Sequence, residues 1–294
     1  MSEPMIERLA VLGCGLMGGS FAMALRQRGL VQEVVGFSSR ESTRRRAVEL
    51  GVIDRACESV AEAVAQSDLV LLSVPVQATE LTLRALAPYL GEHAMLMDVG
   101  STKCDVVAVA RNTLGLALPR FVPAHPIAGK EMAGVEHAQA DLYMHRQVVL
   151  TPLTETDPRF MVRAQAIWLA LGSKVKILTA EAHDAAFAAV SHLPHLLAFA
   201  YINGLTDQTE GSKWVAMGGP GFRDFTRIAA SDPTVWRDIL LTNRSQVLAQ
   251  LAHTRQALEK LEQAMNEPDG HSLHELIEAS RRTRSAWRMA GETD

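Results

Sequence analysis

Short apolar runs alternate with amphipathic helical patterns over the first 178 residues of the chain. Seven apolar runs predict buried strands, at residues 6–12, 34–37, 69–74, 95–98, 121–124, 148–151 and 175–178. Helical patterns lie between them, at residues 17–28, 41–50, 59–66, 79–90, 104–114 and 157–171. Buried strands separated by helices indicate a parallel sheet, and right-handed crossovers place helices on both of its faces. The pattern therefore predicts an α/β fold with a doubly wound, Rossmann-type parallel sheet.

The strand pattern stops after residue 178, and further helices are predicted at residues 180–205, 235–265 and 271–289. Ser231-Asp232-Pro233 is typical of a helix start. We therefore expect a sheet domain over residues 1–178 and an all-helical domain over residues 179–294. Apolar helical surface with little sheet to cover favours pairing with a second copy, which would make the helical part a dimerisation domain. The alternative is a self-contained bundle packed on the first domain.

Length and composition fit an ordinary globular protein of two domains, with 294 residues, 48% of them hydrophobic and 21% charged. The 29 lysines and arginines against 33 acidic residues give a formal charge of −4. Such a balance disfavours a dedicated binder of nucleic acid or of anionic membranes, which would need a basic face. It leaves a small molecule as the favoured partner.

The N-terminal segment carries Glu3 and Glu7 and has no long apolar run, which argues against a secretory signal. The longest near-continuous apolar stretch, residues 69–76, is shorter than a membrane span. Cys14, Cys57 and Cys104 are scattered and form no CxxC pair, so neither a disulfide framework nor a zinc site is expected. These features favour a reducing, cytoplasmic location.

The sequence LGCGLMGG follows the first predicted strand and opens a helix. In such a GxGxxG loop, Gly13 allows the tight turn, Gly15 lets the backbone approach a pyrophosphate, and Gly18 lets helix and strand pack closely. The backbone at Leu16 and Met17 then offers free amides and a helix dipole to the anion. The alternative is a glycine-rich turn that binds nothing. Because the βαβ alternation continues for more than a hundred residues, we expect a dinucleotide.

The end of the second strand bears on which dinucleotide binds. An NAD enzyme carries an Asp or Glu there, about twenty residues past the glycines. This chain instead has Ser38, Ser39 and Arg40. Two hydroxyls and an arginine suit a 2′-phosphate, so NADP is preferred. NAD stays possible, with Arg40 on a solvated helix face.

Candidate chemistry lies at three strand ends, where doubly wound sheets bind ligands. Ser73, Val74 and Pro75 follow one strand, where they can wall the nicotinamide. The sequence DVGSTK follows the next strand, and VPAHPIAGKE, containing His125, lies at the end of the third. A neutral imidazole is a natural proton acceptor for an alcohol that is being oxidised. A single histidine can equally be an ordinary structural residue.

The glycine loop, VGSTK, AHPIAGKE, SHLPH and GFRDFTRIAASDPTVWRDI, in this order, resemble the prephenate and arogenate dehydrogenase family of tyrosine biosynthesis. The resemblance extends from residue 6 to about residue 261, and HPIAG and GFRDFTRIA are its most specific motifs. It implies a dimer with a nucleotide-binding N-domain and a helical C-domain. It also implies oxidative decarboxylation of prephenate or arogenate with hydride transfer to the nicotinamide, yielding 4-hydroxyphenylpyruvate or tyrosine and CO₂.

The same resemblance implies roles for individual residues. His125 would take the proton of the ring 4-hydroxyl as hydride leaves C4, and Ser101 would orient that histidine near the nicotinamide. The implied substrate-binding residues are Glu131 near the site entrance, His195, Arg223 near the substrate side chain, Arg227 on the ring carboxylate, and Trp236. Three of them have a plainer interpretation: His195 and Trp236 as packing residues, and Arg223 paired with Asp224 in solvent. Arg227 has the strongest case, because a cation in an apolar stretch needs an anion if it is buried. His192, also in SHLPH, more plausibly packs in a helix break.

Two other functions compete with this interpretation. A 3-hydroxyacid type of two-domain Rossmann dehydrogenase would need a lysine after a glycine-rich helix start, and neither Lys213 nor Lys260 has that setting. A non-catalytic NADP-binding sensor would bind the nucleotide without needing His125. No HExxH motif or clustered ligand set predicts a metal. The choice between prephenate and arogenate stays open.

Overall fold

The computed structural model describes residues 5–129 and 132–288. Its strands are β1 (Ile6–Leu12), β2 (Val31–Phe37), β3 (Arg55–Ala56), β4 (Leu69–Leu72), β5 (Met95–Asp98), β6 (Phe121–Val122), β7 (Ala124–Pro126), β8 (Gln147–Leu150) and β9 (Lys174–Ile177). Six helices accompany them: α1 (Leu16–Gln27), α2 (Glu41–Glu49), α3 (Val60–Val64), α4 (Thr79–Leu86), α5 (Cys104–Thr113) and α6 (Pro158–Ala170). The helical half contains α7 (Ala180–Phe187), α8 (Leu193–Thr206), α9 (Gly211–Val215), α10 (Pro220–Thr226), α11 (Pro233–Thr242), α12 (Arg244–Met265) and α13 (His271–Ala286).

Six parallel strands form the main sheet in the order β3-β2-β1-β4-β5-β6. This is the Rossmann order, which confirms the predicted fold class, and the helical half that follows the sheet is also as predicted. The strand order reverses between β1 and β4, so the segments after these two strands flank a crevice at the carboxyl edge of the sheet. Two hydrophobic layers cover the faces of the sheet, and one of them contains Phe21, Tyr143 and Trp168 packed edge to face.

The prediction of one continuous sheet was wrong in its last part. The run at residues 121–124 divides into β6 and β7 at Pro123, which has no N–H for a sheet ladder. β7 leaves the main sheet and pairs antiparallel with β8, and β9 completes this separate three-stranded sheet. The two-residue strand β3 is too short to give an apolar run and was not predicted.

A buried ion pair joins the two sheets. Asp98 ends β5, and its carboxylate lies 2.5 Å from the ammonium group of Lys103, whose side chain is completely buried. Lys103 Nζ also donates to the carbonyl of Ala124 at 2.8 Å, and the Ala124 N–H donates to Asp98 at 3.1 Å. Burial lowers the pKa of Lys103, and the neighbouring Asp98 opposes that shift. Through these bonds, the ion pair holds the residue that precedes His125.

The helical half begins with a continuous 27-residue helical stretch, Ala180–Thr206. It widens into a π-helical turn at Ala188–His192, just before Pro194, whose missing N–H interrupts the regular helix ladder. By length and mean hydropathy alone, 1.5, the stretch would be long and apolar enough to cross a membrane. It also carries the buried polar residues His183, Asp184 and His192, which bond to neighbouring elements. We therefore interpret the stretch as a helix packed within the folded protein and not as a membrane span.

The predicted helix at residues 235–265 is divided into α11 and α12 at Asn243. The buried side chain of Asn243 turns back, and its Nδ2 donates to the carbonyl of Asp184 at 2.8 Å. The break therefore ties the start of α12 to α7.

We expect Lys103→Met to lower the free energy of unfolding by about 3–5 kcal/mol, because it leaves the Asp98 carboxylate buried without its cation. Urea denaturation followed by tryptophan fluorescence measures this loss. Lys213→Met is the matched control, since it removes an exposed ion pair with Glu210 and should change little. Equal losses in the two variants would contradict a structural role for the buried pair.

Candidate active site

The glycine loop has the geometry that its sequence predicts. Gly13 adopts φ +100°, and a Cβ there would lie 2.2 Å from the carbonyl oxygen of Ser73. A Cβ on Gly18 would lie 2.4 Å from the Gly13 carbonyl. These two positions therefore exclude any side chain, one in the turn and one where α1 packs on the sheet.

Gly15 differs, because a Cβ there would meet no atom within 4 Å. It precedes α1, whose first turn receives no side-chain cap. Open space beside uncapped helix amides fits a pyrophosphate, which these amides and the helix dipole favour. The adjoining cavity, about 420 Å³, is lined by Gly15, Leu16 and Met17 after β1 and by Ser73, Val74 and Pro75 after β4. The cavity thus lies at the switch point of the sheet and suits a dinucleotide.

The end of β2 presents Ser38, Ser39 and Arg40, and Ser39 and Arg40 are exposed. The Ser38 hydroxyl accepts a hydrogen bond from the Cys14 N–H at 2.8 Å, so it already supports the glycine loop. Buried Arg44 donates to the Ser38 carbonyl at 2.7 Å. The guanidinium group of Arg44 therefore lies on the buried side of residues 38–40, and the side chain of Arg40 lies on their solvent side.

A second cavity, of about 830 Å³, adjoins the first and shares Ser101 and Trp236 with it as lining residues. His125, His195 and Arg227 also line this second cavity. The structure therefore brings together five predicted site residues, which lie on β7, on α8, on α11, in the 3₁₀ turn Arg227–Ala230 and in the loop after β5.

His125 begins a chain of hydrogen bonds that leads into the protein. Its Nδ1 lies 2.8 Å from Nε2 of buried His183, and His183 Nδ1 lies 2.8 Å from Oδ1 of Asp184. Asp184 in turn accepts the main-chain N–H groups of Lys103 at 2.9 Å and Cys104 at 2.8 Å. The hydrogen-bond partner of His125 is thus His183, and the orienting role expected of Ser101 stays a prediction.

Burial keeps the imidazoles of the site neutral. It lowers the pKa of His125 well below its usual 6.5, and the nearby His183 and Lys103 lower it further. Burial also lowers the pKa of His183 and brings that of His192 to about 4. A neutral imidazole has a free lone pair, so His125 is in the form that can accept a proton at neutral pH.

His195 and Trp236 form a stacked pair in the cavity wall, with ring centroids 3.4 Å apart. His195 Nδ1 donates to the carbonyl of Ser191 at 2.9 Å, within the π-helical turn. With its proton on Nδ1, neutral His195 has its lone pair on Nε2. The pair gives the cavity a flat aromatic wall with one polar edge.

The remaining predicted substrate residues are placed differently. Arg227 lines the cavity from the 3₁₀ turn Arg227–Ala230 and is exposed in the single chain. The Arg223 side chain is 74% exposed, pairs with Asp224 at 2.9 Å and does not line the cavity. Glu131 lies outside the described residues.

Sequence reasoning missed three buried residues of the site, His183, Asp184 and Asn243. Their signal was a His-Asp pair within the alanine-rich helix and an amide at the break between two helices. Neither feature identifies its partner, because the partners lie 51 to 81 residues away along the chain.

Comparison with known families covers most of the chain. Residues 21–177 match the family described as prephenate dehydrogenase, nucleotide-binding domain. Residues 179–279 match prephenate dehydrogenase, dimerization domain. The chain belongs to the prephenate dehydrogenase family.

Individual members of the prephenate dehydrogenase family are similar along nearly their whole length. Cyclohexadienyl dehydrogenase of Zymomonas mobilis is 34% identical over 95% of this chain and 96% of its own. A crystal structure of prephenate dehydrogenase from A. aeolicus, in complex with hydroxyphenyl propionate and NAD⁺, is 35% identical with a TM-score of 0.90 and covers 97% of this chain and 99% of its own. Synechocystis arogenate dehydrogenase is 29% identical with a TM-score of 0.81, covering 95% and 99%. These similarities make an NAD(P)-dependent dehydrogenase the class of this enzyme.

The lowered pKa of His125 predicts an acid limb of kcat/KM for the substrate well below pH 6.5. The neutral form accepts the proton, so activity is kept at higher pH and is lost as pH falls through the lowered pKa. Initial rates at low substrate and saturating cofactor, measured across the acid range, give kcat/KM and test this. An acid limb centred at or above pH 6.5 would contradict it.

Proposed function

We propose that this chain catalyses the oxidative decarboxylation of prephenate, of arogenate, or of both, in tyrosine biosynthesis. The products are 4-hydroxyphenylpyruvate or tyrosine, with CO₂. The observation that carries the proposal is the place of His125: a neutral imidazole in a cavity that adjoins the glycine-loop cleft and also contains Arg227. A proton acceptor, a hydride-acceptor site and a carboxylate-binding cation are thereby next to one another.

The chemistry needs one base and accurate alignment. The bound nicotinamide supplies the hydride acceptor. His125 takes the proton of the ring 4-hydroxyl as hydride leaves C4, and the ring carboxylate departs as CO₂ while its bonding electrons enter the new aromatic ring. The phenolate oxygen formed in this way takes the proton back from His125, which restores the neutral base and gives the 4-hydroxyl of the product. Ser101, which lines both cavities, lies at the boundary between substrate and cofactor. The protein contributes orientation and a proton acceptor, and the cofactor carries the redox step.

Substrate contacts follow from the cavity walls. Arg227 binds the ring carboxylate, because a guanidinium can hold a carboxylate through two parallel hydrogen bonds. The His195–Trp236 stack packs against the ring and offers Nε2 as a polar contact. Two further assignments rest on the family resemblance alone. Glu131 is assigned to the entrance of the site, and Arg223 is assigned to the side-chain end of the substrate.

We infer NADP as the preferred cofactor and NAD as a usable one. Ser39 and Arg40 are exposed at the end of β2 and no carboxylate follows that strand directly, so a 2′-phosphate would meet a hydroxyl and a cation. The A. aeolicus relative contains NAD⁺, which supports NAD as a usable cofactor in this cleft.

We further propose a cytoplasmic homodimer with a nucleotide-binding domain at residues 1–178 and a dimerisation domain at residues 179–294. Exposed apolar side chains on the helices and turns of the second part support self-association: Val190, Tyr201, Met217, Phe225, Leu248, Leu258, Met265 and Ile277. The family matches meet near residue 178, which supports the division.

The deciding experiment measures reduced-nicotinamide absorbance with prephenate or arogenate and NAD or NADP, in all four combinations. Turnover in at least one combination, with a higher kcat/KM for NADP, is the expected result. His125→Asn is the control, which should bind the dinucleotide and lose turnover. A folded protein that binds dinucleotide but is silent in all four combinations would refute the activity and favour a sensor.

Arg227→Ala should raise KM for the substrate by about 10- to 100-fold, because the lost charge-assisted pair contributes about 1.5–3 kcal/mol. KM for the cofactor should not change. Arg159→Ala is the matched control, because it also removes an arginine, but one whose side chain is exposed, pairs with Asp157 and does not line the cavity. An unchanged substrate KM in Arg227→Ala would remove the residue from the carboxylate site.

A further inference from the structure

His183 and Asp184 lie between His125 and the start of α5, and the proposed reaction assigns them no role. The Asp184 carboxylate is surrounded by donors: the main-chain N–H groups of Lys103 and Cys104, and Nδ1 of His183. Burial opposes ionisation of Asp184, yet these hydrogen bonds lower its pKa overall. An ionised carboxylate only accepts hydrogen bonds, so His183 must carry a proton on Nδ1.

The next step fixes the proton on His125. Burial lowers the pKa of His183, so its ring is neutral and carries a single proton. With that proton on Nδ1, its Nε2 has a lone pair, and this lone pair faces His125 Nδ1 at 2.8 Å. A short contact between two ring nitrogens requires one donor. His125 therefore carries its proton on Nδ1, and its Nε2 is unprotonated.

We propose that His183 and Asp184 form a positioning relay that fixes His125 in the tautomer whose Nε2 accepts the substrate proton. The inference rests on the proposed function, because it explains how the assigned base is prepared for that reaction. When the substrate O–H bond breaks and an N–H bond forms at Nε2, His125 becomes an imidazolium. Its Nδ1–H then donates to His183, whose own N–H points at the Asp184 carboxylate, so the new positive charge faces an anion through one imidazole.

Packing holds the relay in one geometry. The Phe187 ring lies 4.5 Å from that of His183 and 4.9 Å from that of His125, centroid to centroid. Asn243 Nδ2 binds the Asp184 carbonyl, which fixes the backbone of the acidic residue. The three groups of the relay are thus constrained from α7, α12 and the start of α5.

Three variants separate tautomer control from mere packing. Asp184→Asn keeps the shape but can present an amide N–H to His183, which would move the His183 proton to Nε2 and force the opposite tautomer on His125. His183→Gln can still accept from His125 and donate to Asp184. His183→Leu can do neither, and His93→Leu, on an exposed loop, is the control for loss of a histidine.

Two readouts are taken from each purified variant: kcat with saturating substrate and cofactor, and ¹⁵N chemical shifts of the histidine-labelled resting protein, with His125 assigned by His125→Asn. We expect an unprotonated Nε2 on His125 in the wild type and in His183→Gln, with kcat of the Gln variant within about tenfold. In Asp184→Asn and His183→Leu, kcat should fall by about 10²- to 10⁴-fold, the range of general-base catalysis, while KM for the dinucleotide is unchanged. In Asp184→Asn, the His125 proton should move to Nε2.

A wild-type His125 protonated on Nε2, or wild-type kcat in His183→Leu, would overturn the proposal. Equal losses in His183→Gln and His183→Leu with an unaltered His125 tautomer would also overturn it, because they would indicate packing alone. If Asp184→Asn does not fold, the two His183 variants still decide the outcome. The NMR readout needs no turnover, so an enzyme silent on both substrates would refute the proposed function while the tautomer remained measurable.

Discussion

The Lys103–Asp98 ion pair is the interaction on which the site depends. It lies where the main sheet ends and the three-stranded sheet begins, and both partners bond to Ala124, the residue before His125. The main-chain N–H of Lys103 also binds Asp184, the anion at the far end of the imidazole chain. Lys103 therefore positions two groups: the backbone next to His125, and the Asp184 carboxylate. A displaced Lys103 would disturb both ends of the relay together.

The electrostatics of the site favour neutral imidazoles over charged ones. His125, His183 and His192 are held in low-dielectric surroundings, and the charge on Lys103 opposes a further positive charge nearby. An imidazole in such surroundings is neutral before the substrate arrives, so one of its two ring nitrogens can accept a proton. In the proposed relay, the ionised Asp184 carboxylate, one imidazole away, offsets the positive charge that arises on His125 when the proton is transferred. Burial thus keeps His125 neutral at rest, and the proposed relay offsets the charge that proton transfer creates.

The sequence predicted those parts of the fold that local pattern determines. The apolar runs of β1, β4 and β5 and the glycines after β1 specify strands and a turn whatever surrounds them, and the structure agrees with each. Pro123 was less informative, because a proline that ends a ladder does not say which sheet the chain joins next. Asn243 was missed as a helix break because its stabilising partner, the carbonyl of Asp184, is 59 residues away.

Candidate site residues could be predicted from the sequence where the residue type alone indicates a chemical role. His125 and Arg227 carry an evident base and an evident cation, and both line the cavity. His183 and Asp184 can be recognised as part of the site only from the structure. His183 Nε2 lies 2.8 Å from His125 Nδ1, and His183 Nδ1 lies 2.8 Å from Asp184 Oδ1. An isolated His-Asp pair in a helix gives no indication of that arrangement. Arg223 was selected from the sequence because it lies in the GFRDFTRIA motif, but its side chain is exposed to solvent in this chain.

The π-helical turn at Ala188–His192 has a consequence for the direction of the histidines on either side of it. An α-helix rotates by about 100° per residue, so the twelve steps from His183 to His195 would leave their side chains about 120° apart. A wide turn accommodates one additional residue without advancing the helix, which reduces that difference to about 20°. One continuous helical stretch can therefore place His183 and the cavity-lining His195 on the same side. The π-helical turn thus changes the direction in which the side chains after it point, and this aligns His195 with His183 along a single helical stretch.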